Sequence, residues 1–169
     1  MKKIINSTLI FAFTMISLLA CSQDQKPASP ALKASGKSGA ANITISYGSP
    51  AVKGRKVWGE LVPYGKVWRT GANDATVIEF DTDVKVEGQT LAKGSYSLFT
   101  IPEESEWTII FNKKPKQWGA YSYKQDDDVL RVKVKPGKSA SFNETLNISV
   151  ADGKVYIRWE NIEVPISIK

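Results

Sequence analysis

From Asn42 onward the apolar residues recur at every second position, the pattern of strands that bury one face and show the other to water. Ile43, Ile45 and Tyr47 alternate with Thr44 and Ser46, and Thr76, Ile78 and Phe80 share a face opposite Glu79. Val84 and Val86 lead into Glu87-Gly88-Gln89, which reads as a turn, and Lys93-Gly94 is the next. Tyr96 with Leu98 follows, then Trp107, Ile109 and Phe111, then Leu130, Val132 and Val134 against Arg131, Lys133 and Lys135. Phe142, Leu146, Ile148 and Val150 run into Asp152-Gly153, the strongest short hairpin signal, and Val155, Ile157 and Trp159 lie beyond it. Ile162, Val164, Ile166 and Ile168 close the chain; Pro165 has no N–H for a ladder and places this strand at an edge or a bulge. No stretch sustains a helical period. The expected fold is all-β, an antiparallel β-sandwich of about 8–9 strands with two long irregular loops; the short, frequent turns favour it over a closed barrel.

The first irregular stretch is residues 48–73, with glycines at 48, 54, 59, 65 and 71 and prolines at 50 and 63. Hairpin loops ordinarily run about two to five residues, so a loop of this length is functional or packs on itself. Trp and Arg present flat surfaces that stack on sugar rings or partner side chains, and Thr and Asn supply hydrogen bonds. The candidate ligand residues are therefore Arg55, Trp58, Tyr64, Lys66, Trp68, Arg69, Thr70 and Asn73. The competing reading turns Trp58 and Trp68 inward as plugs at one end of the sandwich, with the glycines permitting tight turns.

Residues 112–128 form the second irregular stretch, holding Lys113, Lys114, Lys116, Trp118, Tyr121, Tyr123 and Asp126-Asp127-Asp128. Trp118 and Tyr121 are candidates for the other wall of a cleft. The alternative is a solvated lysine cluster followed by an aspartate-rich turn. Three consecutive aspartates cannot all face one ion and lack the spaced pattern of a calcium loop, so no metal site is assigned.

The N-terminal part reads differently. Lys2 and Lys3 precede an apolar run from Leu9 to Ala20, interrupted only by Thr14 and Ser17, and small Ala20 precedes Cys21. This is the layout of a signal peptide over residues 1–20, too short for the roughly 18–20 residues a spanning helix needs. Leu18-Leu19-Ala20-Cys21 resembles the lipobox of bacterial lipoproteins, which implies Cys21 as the lipid anchor. Residues 22–41, with Pro27, Pro30 and only Leu32 as a large apolar side chain, are expected to be a disordered tether ahead of a single domain at 42–169.

Charge and composition then narrow the chemistry. Of 23 basic and 17 acidic residues, Lys2, Lys3, Lys26, Lys33, Lys37 and Asp24 precede residue 42, leaving 18 against 16 in the expected domain. That near-neutral balance lacks the basic footprint of a nucleic-acid binder. Cys21 is the only cysteine, so no internal disulfide forms, and the absence of histidine removes the Ser-His-Asp triad and histidine-ligated zinc. No cofactor motif is present. Glu60 and Asp74 are the remaining pair for carboxylate-dependent hydrolysis, and both read more simply as solvated loop acids.

The residues carry one family resemblance. Arg55, Val57-Trp58-Gly59, Leu61-Val62-Pro63-Tyr64-Gly65, Val67-Trp68-Arg69-Thr70-Gly71-Ala72-Asn73 and Ala75-Thr76, with Gly94-Ser95-Tyr96-Ser97-Leu98 and Trp118-Gly119-Ala120-Tyr121, resemble domain-of-unknown-function family 2911. Membership implies an exported or lipid-anchored all-β envelope protein of Gram-negative bacteria and no particular activity. The expectation is a lipid-anchored cell-envelope protein, placed at the outer membrane by Ser22 after the cysteine, with a non-catalytic module that binds an envelope glycan or protein. The alternatives are a carboxylate-dependent hydrolase of envelope polymers and an assembly factor for other envelope proteins.

Overall fold

The computed structural model describes residues 28–169; the leader, Cys21 and the first residues of the expected tether, 22–27, lie outside them. Ten strands are formed: β1 (Ala31–Ser38), β2 (Ala41–Gly48), β3 (Thr76–Phe80), β4 (Val84–Val86), β5 (Gln89–Leu91), β6 (Gly94–Ile101), β7 (Trp107–Asn112), β8 (Asp128–Val134), β9 (Gly137–Ala151) and β10 (Lys154–Ser167). A single 3-10 turn at Gln125–Asp127 accompanies them among the described residues, so the fold is all-β as the alternation required. Six strands make one antiparallel sheet in the order β1-β2-β3-β6-β7-β8; β4 and β5 form a small hairpin, and β9 and β10 a long one.

The β9–β10 hairpin supplies the opposing layer of a sandwich-like core. Its inward residues Leu146, Ile148, Val155, Ile157, Trp159, Val164 and Ile166 share one buried cluster with Ile43, Ile45, Ile78, Leu98, Trp107, Ile109, Phe111 and Val132 of the large sheet. The Asp152-Gly153 turn closes this hairpin with both residues at positive φ, 50° and 69°, the geometry of a two-residue primed turn. Pro165 stands where β10 changes partners. The strand pairs with β9 as far as Glu163, and beyond the proline Ser167 accepts the Glu87 N–H at 3.0 Å.

Two segments depart from the expected layout. Ala31–Ser38, expected as tether, is an edge strand paired residue for residue with β2, from Ala31 opposite Gly48 to Ser38 opposite Ala41. Its side chains are mostly exposed, so it carries no hydrophobic signature; main-chain pairing and a few local contacts hold it. Ser38 donates to the Ile168 carbonyl at 2.5 Å, and a Cβ on Gly36 would meet the Val150 Cβ at 2.6 Å, so the bare glycine lets β1 cross close to β9. The second departure is burial on both faces of β6 and β7. Phe99 and Ile110 point away from the main core and pack with Ala75 under Val67, Ile101, Ala120 and Tyr123.

A chain beginning at Asn42 should unfold at a midpoint lower by on the order of 10 °C than one beginning at Ala28, because it loses the whole β1–β2 ladder. Circular dichroism melts of the two compare them directly; equal midpoints would mean that β1 adds nothing to the fold.

Candidate functional site

The 48–73 loop is pinned at several points rather than draped over the surface. Trp68 exchanges two backbone hydrogen bonds with Thr100 of β6, at 2.7 and 2.9 Å, and Val62 donates to the Val57 carbonyl at 2.9 Å. Its two ends meet where Gly48 faces Ala72: a Cβ on Gly48 would sit 2.2 Å from the Ala72 oxygen, so only glycine admits this approach. Thr70, fully buried, adopts φ 55°, a conformation that costs a β-branched residue on the order of 1–3 kcal/mol. It is held there by its carbonyl, which accepts the Thr76 hydroxyl at 2.8 Å, and by its own hydroxyl, 3.2 Å from that of Thr100.

This frame turns both loop tryptophans inward. Trp58 and Trp68 join Trp107 of β7 and Trp159 of β10 in a cluster with ring centroids 4.9 Å apart for Trp58 and Trp107 and 5.8 Å for Trp68 and Trp159, the latter pair stacked at 17°. The plug reading therefore describes the bodies of these side chains. Trp68 satisfies its indole N–H on the Gly71 carbonyl at 3.2 Å, whereas those of Trp58, Trp107 and Trp159 are buried with no partner among the described residues.

Above the cluster a cleft of about 270 Å³ opens between the loop and the middle of β10, lined by Ser29, Pro50, Arg55, Leu61, Val62, Trp68, Arg69, Gly71, Ala72, Asn73 and Trp159. Of the candidate residues it gathers Arg55, Trp68, Arg69 and Asn73. Arg55 is locked by its guanidinium donating to the carbonyls of Val52 at 3.0 Å and Ala51 at 2.5 Å. Asn73, at φ 62°, donates to the Ser29 carbonyl at 3.2 Å and so ties the start of the described chain to the rim. Arg69 is half-buried, and its Nε has no hydrogen-bond partner among the described residues. Among the described residues no acidic side chain lines the cleft.

The other candidates lie elsewhere. Trp58 and Thr70 are enclosed beneath the cleft, and Lys66 is exposed away from its lining. Tyr64 is half-buried against Gly59; burial first, and the nearby Glu104 charge second, raise its pKa. Glu60 forms an exposed ion pair with Lys56 at 3.3 Å, and Asp74 lies beside Trp118 in a neighbouring depression, so the two acids do not share the cleft. Sequence reasoning missed Leu61 and Trp159 as lining residues. Trp159 carried only a core-strand signal, and its proximity to the loop depends on how far the β9–β10 hairpin reaches.

The 113–124 loop covers the outer face of β6 and β7. Tyr123 packs edge-on against Phe99 at 5.0 Å and donates to Asp128 at 2.6 Å; burial, then that bond, push its pKa well above the ordinary tyrosine value. Trp118 and Tyr121 point outward, 63% and 87% exposed. The backbone of this loop does reach the cleft's edge, since Gly119 donates to the Asn73 carbonyl at 3.1 Å. Asp127 binds Lys113 at 3.2 Å and Lys114 at 2.6 Å, and Asp128 accepts from Asn112, so the aspartate run caps its own loop.

Replacing Trp68 with Ala should destabilise the protein by about 3–5 kcal/mol, and replacing Trp118 by less than about 0.5 kcal/mol. Urea midpoints check both, and a stable Trp68→Ala variant would contradict the cluster's role. The Lys114 bond, aided by Lys113, outweighs burial and holds the Asp127 pKa below its ordinary 3.8; the side chain and backbone N–H of Asn42 do the same for Asp81. A depressed folded-state pKa stabilises above the ordinary value and loses that contribution as pH falls through the folded value. Melting midpoints taken between about pH 5 and pH 2 should therefore fall less steeply in Asp127→Asn than in the wild type.

No curated protein and no solved structure matches this chain. A family model does, over residues 29–168, a span that begins just ahead of β1 and ends at buried Ile168, one residue past β10. With that match across nearly the whole described fold, the chain belongs to the family of proteins of unknown function designated DUF2911.

Proposed function

We propose that this is a cell-envelope lipoprotein, anchored through Cys21 and facing the outer membrane, whose β-sandwich is a non-catalytic module that binds an envelope glycan. The observation that carries the binding role is the cleft beside the tryptophan cluster, whose lining brings Arg55, Arg69 and Asn73 together with the edges of Trp68 and Trp159. Its volume of about 270 Å³ is near the lower end of small-molecule sites and suits one sugar ring better than an extended protein surface. The strained loop, pinned by hydrogen bonds to β6 and across its own ends, keeps these groups in place before a ligand arrives, which limits the ordering cost of binding.

The anchor would hold this cleft near the bilayer. Ser29 lines the cleft and lies eight residues beyond Cys21, a reach of at most about 30 Å.

Thermal unfolding of the full-length protein against peptidoglycan fragments and polysaccharides tests the binding role. A ligand at about one hundred times its dissociation constant should add roughly 2.7 kcal/mol, a shift of several degrees. The combined Arg69→Gln and Asn73→Ala change should abolish that shift while leaving the ligand-free midpoint within about 2 °C of wild type. If no glycan shifts the midpoint and a cross-linked protein partner is recovered instead, the glycan reading falls. Metabolic labelling with palmitate tests the anchor separately, since Cys21→Ala should lose the label.

A further inference from the structure

The buried donors around the cleft have a common chemical sense. Arg69 is half-buried and its Nε is enclosed without an acceptor, and Trp159, only 2% exposed, has an indole N–H in the same condition. Both line the same cleft, and Arg55 and Asn73 add further donors to its wall. Among the described residues the lining contains two guanidinium groups and no carboxylate, while Glu60, Glu103, Glu104 and Asp74 are all outside it. A buried cation or N–H with no partner is costly, and folds retain such groups where a ligand completes them. Arg55 spends part of its guanidinium on the Ala51 and Val52 carbonyls, so it is held as a fixed charge. Arg69 is spared: among the described residues it forms no ion pair and its side chain donates no hydrogen bond, and of its guanidinium nitrogens only Nε is enclosed, which leaves the two terminal nitrogens to face the two oxygens of a carboxylate or phosphate.

We propose that the cleft is an oxyanion site. It takes the carboxylate of an acidic sugar or the phosphate of a sugar phosphate, with Arg69 as the primary partner, Arg55 as supporting charge and the edge of Trp68 in the wall. Neutral sugars of the same size leave the terminal nitrogens of Arg69 without an anionic partner and bind more weakly. This rests on the cleft being the ligand site, and it names the ligand's chemistry.

The test is titration of the full-length protein in detergent with galacturonate, galactose, glucose 6-phosphate and glucose, followed by tryptophan fluorescence and calorimetry. Galacturonate or glucose 6-phosphate should bind at least tenfold more tightly than its neutral counterpart, and whichever acid binds better identifies the carboxylate or the phosphate as the natural group. Raising the salt concentration should weaken the acid and leave the neutral sugar unchanged. Arg69→Gln should lower acid affinity at least tenfold. Asn73→Asp provides a second variant whose exposed position and left-handed backbone suit Asp as well as Asn, at the cost of the bond to the Ser29 carbonyl. It places a negative charge at the rim and should weaken the acid more than the neutral sugar.

Equal affinity for acidic and neutral sugars, or acid affinity untouched by Asn73→Asp, would overturn the oxyanion site and leave the glycan-binding reading standing. Failure of all four sugars to bind at about 10 mM would also overturn it; only a blank result with the larger glycan panel would remove the binding reading as well.

Discussion

The structure depends on one constraint: four indole rings from three separate parts of the chain must occupy one end of the core together. Trp58 and Trp68 come from the long loop, Trp107 from the large sheet and Trp159 from the opposing hairpin. Edge-to-face and stacked contacts of this kind add about 0.5–1.5 kcal/mol per pair beyond simple burial. The cluster joins both layers to the loop, so the loop cannot move away from the sheet without opening the core. The cost is visible in three indole N–H groups enclosed without partners, one of them beside the cleft.

The strand pattern was legible because β-sheet alternation is a local property. Ile43, Ile45 and Tyr47, or Val155, Ile157 and Trp159, reveal their buried face without knowledge of their neighbours, and Asp152-Gly153 specifies its turn through φ values that few other residues adopt. Edge strand β1 was not legible. Its side chains face solvent, so Ala31–Ser38 has the composition of a tether, and only pairing with β2 makes it a strand. The double burial of β6 and β7 was equally hidden, since the lid over Phe99 and Ile110 comes from a lysine-rich loop whose single useful anchor is Tyr123.

The candidate site was half legible for a related reason. Composition picks out aromatic and basic residues, but not the direction in which a loop turns them. Trp58 and Thr70 went inward because Gly48 and Ala72 bring the loop ends into contact and Thr100 captures Trp68 and Thr70. Arg55, Arg69 and Asn73 were left on the open side. The same backbone strain that removes Thr70 from solvent thus supports the rim, and the stability of the loop and the geometry of the cleft are properties of one hydrogen-bonded unit.

The position of Ser29 has a mechanical meaning. Its carbonyl accepts from Asn73, and the neighbouring Pro30 carbonyl accepts the Ser49 N–H at 2.9 Å, so the chain enters the fold at the lip of the cleft. A load applied between a partner held in the cleft and the chain leading back from Ser29 acts on groups that are already adjacent. The force path is short and runs through the rim and the first pair of the β1–β2 ladder, Ala31 with Gly48. Tension of that kind would fall first on the Ser29 and Pro30 carbonyls and the opening pairs of β1 with β2, so the entrance of the chain is where the fold meets any load.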